Sequence, residues 1–281
     1  MKLCRYGKNG FEKPGIIDGD GRLRDLSKVV ENIGPNELSP RGLKMLAKVK
    51  PETLPVVANG PRLGVPFIGI GKFVAIGLNY SDHAKEAGMP IPPEPIVFMK
   101  ATSCISGPND DVVQPKHSTK LDWEVELAVV IGTKAQYVSE KEALSHVAGY
   151  CVVNDVSERA FQFATGQWDK GKGFDTAGPI GPWLVTTDEI PDPQVLDMWL
   201  DVNGKRMQTG NTRTMIFPVA TLVAHVSRYM TLLPGDIITT GTPPGVGVAM
   251  KPPVLLKPGD VMSLGIRGLG EQRQNVVAWT G

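Results

Sequence analysis

Leu121-Asp122-Trp123-Glu124-Val125-Glu126-Leu127-Ala128-Val129-Val130-Ile131 is the stretch from which the rest of this chain can be read. Side chains alternate between faces along a strand, so Glu124 and Glu126 project together from one face, roughly 7 Å apart along the chain. The opposite face carries Trp123, Val125, Leu127, Val129 and Ile131, a core-facing row. A second strand-like segment, Gly149-Tyr150-Cys151-Val152-Val153-Asn154-Asp155, ends in another acid. Acids fixed side by side repel unless a cation or solvent separates them. Three carboxylates from two strands suit a hard ion, Mg²⁺ or Mn²⁺, with positions left open for water and substrate. The plainer alternative is a solvated sheet face, with Asp155 capping the helix that follows.

Working outward, 281 residues suffice for a full core, as one large domain or a large one plus a small one. The net charge of +1, from 30 basic and 29 acidic side chains, gives no reason to expect a nucleic-acid or anionic-membrane partner. No run approaches the roughly 20 apolar residues of a membrane helix. Met1-Lys2-Leu3-Cys4-Arg5-Tyr6-Gly7 lacks the apolar core of a signal peptide. Cys4, Cys104 and Cys151 have no metal-ligand spacing, which fits reduced thiols, so a cytoplasmic location is expected. With 32 Gly and 24 Pro, turns and strands should outweigh long helices.

Residues 1–66 read as a small β-rich leading unit, with strand-like pieces at Lys2–Tyr6 and Gly15–Asp18 and a polar helix near Pro40–Lys50. Asn59-Gly60-Pro61 marks a turn-rich connector. From 67 to 281, short apolar runs alternate with Gly/Pro turns: Phe73–Gly77, Ile96–Met99, Trp123–Gly132, Val147–Val153, Pro182–Thr186, Val195–Val202, Asp236–Thr240 and Val261–Gly265. Helical periodicity is convincing at Glu140–His146, Val156–Thr165 and Val219–Leu232. The expected class is α+β, mostly β, with a rolled or barrel-like mixed sheet. No regular strand–helix alternation supports a dinucleotide-binding fold.

Other segments carry chemistry. Asn79-Tyr80-Ser81-Asp82-His83-Ala84-Lys85-Glu86-Ala87-Gly88-Met89-Pro90 reads as a short helix, with Ser81 as N-cap and Gly88 as C-terminal cap. His83 and Glu86, three apart, share a face. A His oriented by a carboxylate can serve as a general base, and the flanking Gly and Pro suit a lid. A surface ion pair is the bland alternative. Arg159 and Gln162, also three apart near a helix start, could hold a substrate carboxylate or carbonyl, or form a solvated face. Gln167–Pro179 looks too glycine-rich for a regular element, and either Lys170 or Lys172 could polarise a carbonyl. Thr239-Thr240-Gly241-Thr242-Pro243-Pro244-Gly245-Val246-Gly247 could cradle an anion with backbone N–H groups and Thr hydroxyls. It lacks a P-loop ending. His117, His146 and His225 have no partner at a diagnostic spacing and read as structural.

Taken in order, these segments resemble the fumarylacetoacetate hydrolase family. Gly77-Leu78-Asn79-Tyr80 with His83 and Glu86, Glu124-Val125-Glu126, Asn154-Asp155 with Arg159 and Gln162, Lys172-Gly173-Phe174, and Thr240-Gly241-Thr242-Pro243 carry the likeness. It spans roughly residues 70 to 281. The resemblance implies Mg²⁺ ligands at Glu124, Glu126 and Asp155, with Mn²⁺ as the other candidate ion. It implies a His83/Glu86 dyad on a mobile lid, a catalytic Lys172, and substrate contacts at Arg159, Gln162 and Thr242. It also implies a homodimer and a small-molecule 2-oxo acid substrate, with hydrolysis of a C–C bond in 2,4-dioxo acids of the acylpyruvate type. Asp169-Lys170-Gly171-Lys172-Gly173-Phe174 through Gly178-Pro179-Ile180-Gly181-Pro182-Trp183 looks most like bacterial hydrolases of 2,4-diketo-3-deoxy-L-rhamnonate or -fuconate. Ala177 departs from that pattern, where a bulkier residue is expected. Oxaloacetate decarboxylation, muconate-type isomerisation and ureidoglycolate cleavage are the rival reactions at such a site.

Overall fold

Val125–Ile131 is apolar on alternate positions and nearly so on the rest, and every one of its side chains is buried. A strand covered on both faces belongs in the middle of a sheet. In the computed structural model, which describes all 281 residues, it pairs with Val147–Asn154 on one side and Ile237–Thr239 on the other. The sheet continues on one flank through Gly178–Thr186, Lys2–Tyr6, Lys13–Ile17 and Leu23–Asp25. On the other it runs through Phe73–Gly77 and Ile96–Lys100. Pairing is mostly antiparallel, and Ile237–Thr239 runs parallel to Phe73–Gly77. The architecture is the expected mixed, strand-dominated one, but the sheet stays open at Leu23–Asp25 and Ile96–Lys100 rather than closing into a barrel.

A second, five-stranded sheet contains Lys205–Asn211, Asp197–Val202, Val261–Ile266, Gly270–Ala278 and Val112–Gln114. Lys205–Asn211 and Gly270–Ala278 escaped the sequence reading because they carry polar residues where apolar runs were sought. One core of 55 buried residues runs from Leu3 to Val276. It includes Leu3, Ile16 and Leu26, so the leading 66 residues share it. The first three strands extend the central sheet, with Leu3 opposite Leu184.

Helices are few. Val219–Tyr229 keeps the predicted register and ends three residues early. Glu140–Ala143 continues as a 3-10 turn to His146. The helix expected over Val156–Thr165 shrinks to Arg159–Gln162, because Ser157–Glu158 pairs as a short strand with Leu121–Asp122. Conversely, Asp169–Lys172 forms one helical turn inside the stretch judged too rich in glycine. No helix is long and apolar enough to cross a membrane.

Candidate active site

The central strand pair brings the three acids together. Asn154 lies opposite Val125 and Val153 opposite Glu126, so both chains leave the ladder at the same end. There the Asp155 N–H donates to the Glu124 carbonyl at 2.9 Å. One carboxylate oxygen from each of Glu124, Glu126 and Asp155 falls within 4.8 Å of the others, and all three residues are buried. The solvated-face alternative is therefore wrong for Glu124 and Glu126. The carboxylate of Asp155 is bound by lysines rather than by helix N–H groups.

Cations hold this cluster. Lys172 donates to Glu124 at 2.5 Å and to Asp155 at 2.8 Å, whereas Lys170 is exposed. Arg159 donates to Glu124 at 2.6 Å, to Asp122 at 2.9 Å and to Gln162 at 3.0 Å. Burial alone would raise the Glu124 carboxyl, but Arg159 and Lys172 outweigh it and hold it down to about 2. Burial likewise opposes the positive charge of Arg159 and Lys172, and the adjoining carboxylates push both back above their ordinary values. Glu126 is the exception. It accepts one hydrogen bond, from the Gly241 N–H at 2.9 Å. Burial, followed by the charges of Asp155 and Glu124, lifts its carboxyl well above the usual range.

Two further residues belong to the site and were not singled out from sequence. Lys100, at the end of an apolar strand, is fully buried. Its ammonium donates to Asp155 at 2.5 Å, to the Ala177 carbonyl at 3.2 Å and to the Lys172 carbonyl. Asp122 accepts from Arg159 and from the N–H groups of Gly247 at 2.7 Å and Val248 at 3.1 Å. Its signal was present: the alternation that aligns Glu124 with Glu126 extends back to Asp122. For Lys100 the signal was weaker, a lone charge closing an apolar run.

The short helix spans Ser81–Ala87. Gly88 closes it in the left-handed conformation, as expected, but Tyr80 rather than Ser81 occupies the N-cap position. The Ser81 hydroxyl instead donates to the Thr214 carbonyl at 3.2 Å. His83 Nδ1 and Glu86 Oε2 lie 3.0 Å apart, and Glu86 also accepts from the Gly245 N–H at 3.0 Å. The loop Thr239–Gly247 is thus a cradle for anions, but the anions are the protein's own. Gly241 serves Glu126, Gly245 serves Glu86, and Gly247 serves Asp122. The Thr242 hydroxyl donates to the Val125 carbonyl at 2.9 Å and accepts from Gln208 at 2.8 Å, so it is already committed.

A cavity of about 200 Å³ opens onto the acids. Every expected site residue except Glu86 lines it. The volume lies below the roughly 300–1,000 Å³ of pockets for drug-sized ligands, which suits a small molecule. Converging buried carboxylates, matched cations and a His–Glu pair at the cavity make this the candidate active site, with an all-oxygen donor set that could hold a metal ion.

Residues 72–277 match the family model described as fumarylacetoacetate (FAA) hydrolase C-terminal, and the chain belongs to that family. A protein of Burkholderia ambifaria, whose name assigns it to the hydrolases without a substrate, is 63% identical over 277 residues, 98% of each chain. Among solved structures, the fumarylacetoacetate hydrolase of Exiguobacterium antarcticum is 36% identical with a TM-score of 0.89, over 99% of this chain and 100% of that one. The maleylpyruvate hydrolase of Sphingobium sp. SYK-6, solved with manganese(II) and pyruvate, is 29% identical with a TM-score of 0.83, over the full length of both.

Proposed function

We propose that this enzyme is a Mg²⁺-dependent hydrolase that splits a C–C bond in 2,4-dioxo acids of the acylpyruvate type and releases pyruvate. The observation carrying the proposal is the trio Glu124, Glu126 and Asp155, gathered within 4.8 Å in a buried cavity that His83 also lines. An all-carboxylate donor set fits Mg²⁺, with Mn²⁺ as the alternative. Glu126, buried with a single N–H partner, is an acid whose surroundings call for a further positive charge. When bound, the divalent ion supplies positive charge against substrate oxygens that become negative during reaction.

The chain's own groups perform the remaining steps. Arg159 with Gln162 and the Lys172 ammonium orient the carboxylate and 2-oxo end of the substrate. With Nδ1–H directed at Glu86, His83 Nε2 is free to accept a proton from water. The water oxygen attacks C4, the C3–C4 bond breaks, and its electron pair moves to C3. Return of the proton to C3 yields pyruvate and a carboxylic acid. Within this class, the sequence resemblance alone points to a 2,4-diketo-3-deoxy sugar acid, a tail that the apolar side chains lining the cavity do not favour. A cytoplasmic homodimer accompanies the same reading. Pyruvate release from a 2,4-dioxo acid, followed through lactate dehydrogenase with an EDTA-treated control, tests the reaction. Rapid release abolished by EDTA supports it; no release from any 2,4-dioxo acid sinks it.

A further inference from the structure

Beyond its charged floor and the side chains of His83, Gln162 and Thr242, the cavity is lined by apolar residues and glycines, and we propose that this wall selects substrates whose far end carries neither charge nor hydroxyls: alkyl, alkenyl or aryl tails. The inference rests on the 2-oxo acid reading above and narrows it. Glu124, Glu126, Asp155, Arg159 and Lys172 form one cluster, four of them joined by direct hydrogen bonds. The remaining wall includes Leu78, Met89, Phe98, Phe163, Trp168 and Val248. Phe98 and Trp168 pack edge to face, 5.3 Å between ring centres.

Arg159 and Lys172 are the arginine and lysine side chains lining the cavity, and the 2-oxo acid end takes both, so no third is left for a second carboxylate. Arg159 is held by Asp122, Glu124 and Gln162, and Lys172 by Glu124 and Asp155. A hydroxylated tail fares little better, because the Thr242 hydroxyl is bonded on both sides, while Gln162 and His83, the other polar side chains of the lining, serve the acid end and the attacking water. Leaving a polar group of the ligand unpaired against such a wall weakens binding on the order of tenfold or more. An apolar tail gains instead. Met89 is 50% exposed and Phe163 61% exposed, so a tail lying on them removes apolar surface from water. This wall argues against the sugar-acid tail suggested by sequence resemblance and against dicarboxylic substrates alike.

Calorimetric titration of the Mg²⁺-loaded enzyme with 2-oxohexanoate and 2-oxoadipate tests the inference, because these acids share a chain length and differ at the terminal group. Binding of 2-oxohexanoate should be tighter by about tenfold or more. Equal affinity, or tighter binding of 2-oxoadipate, overturns it. Met89→Lys, at a half-exposed position that tolerates a charge, should narrow the ratio. A ratio that does not move also overturns it. Should neither acid bind while Mg²⁺ does, the 2-oxo acid reading falls and takes this inference with it. Preference for 2-oxohexanoate without hydrolysis of any 2,4-dioxo acid would remove the proposed reaction and leave the tail selectivity standing.

Discussion

Lys100 has no solvent and three acceptors, one of them the carboxylate of Asp155. Removing one partner of a buried ion pair strands the other charge, which costs about 3–5 kcal/mol. Lys100→Met should lower unfolding stability by that amount in denaturant titrations. Lys170→Met, on the exposed side of the helical turn, should stay within about 0.5 kcal/mol. His83 calls for a different measurement, since its proposed work is chemical. His83→Ala should cut kcat by about 10²–10⁴-fold while calorimetry finds Mg²⁺ affinity unchanged. A matching loss of metal affinity would mean that the cavity, not the proton acceptor, had been damaged. At this scale much of the site was legible. Eight of the nine residues expected there line one cavity, because strand alternation and helix spacing are local rules. Lys100 was hidden because what pairs it lies 55 residues away.

Elements were less legible than residues. Arg159–Gln162 and Asp169–Lys172 are single turns whose existence depends on tertiary packing, so neither periodicity nor glycine content foretold their lengths. The same dependence governs the short helix Ser81–Ala87, which is anchored from outside by the Gly245 N–H on Glu86. Gly245 has φ +102°, and a Cβ there would meet the Met207 carbonyl oxygen at 2.0 Å. Gly245→Ala must therefore shift the loop and weaken the anchor. Amide exchange in residues 81–87 should quicken, with the central strand Val125–Ile131 unaffected. Unchanged exchange in the helix would show that Glu86 does not hold it.

Across the molecule, charge ties the leading segment to the rest. Glu12 is bound by Arg5 at 3.2 Å and by Arg62 at 2.8 Å, and Arg62 also reaches Asp110 at 2.5 Å. Burial would raise the Glu12 carboxyl, but the hydrogen bond from Arg62 and the charges of both arginines hold it below the usual range. A carboxylate with a lowered pKa adds stability above its unfolded-state value and loses it as pH falls. Glu12→Gln should thus be less stable than the natural chain at pH 7. The difference should shrink as pH drops through about 4 and below. A constant gap over that range would assign the effect to packing.

The joining of Lys2–Tyr6 to Gly178–Thr186 bears on solubility. Residues 1–66 supply the three strands that flank the central sheet on that side. A shortened protein starting at residue 67 would bare the main-chain hydrogen-bonding groups from Leu184 to Thr186, where Lys2 and Leu3 pair and the Thr186 N–H donates to the Met1 carbonyl. Two such molecules could zip together there. The leading segment therefore doubles as a guard against self-association, and light scattering of the truncated protein should report aggregates even with every acid and the helix Ser81–Ala87 in place.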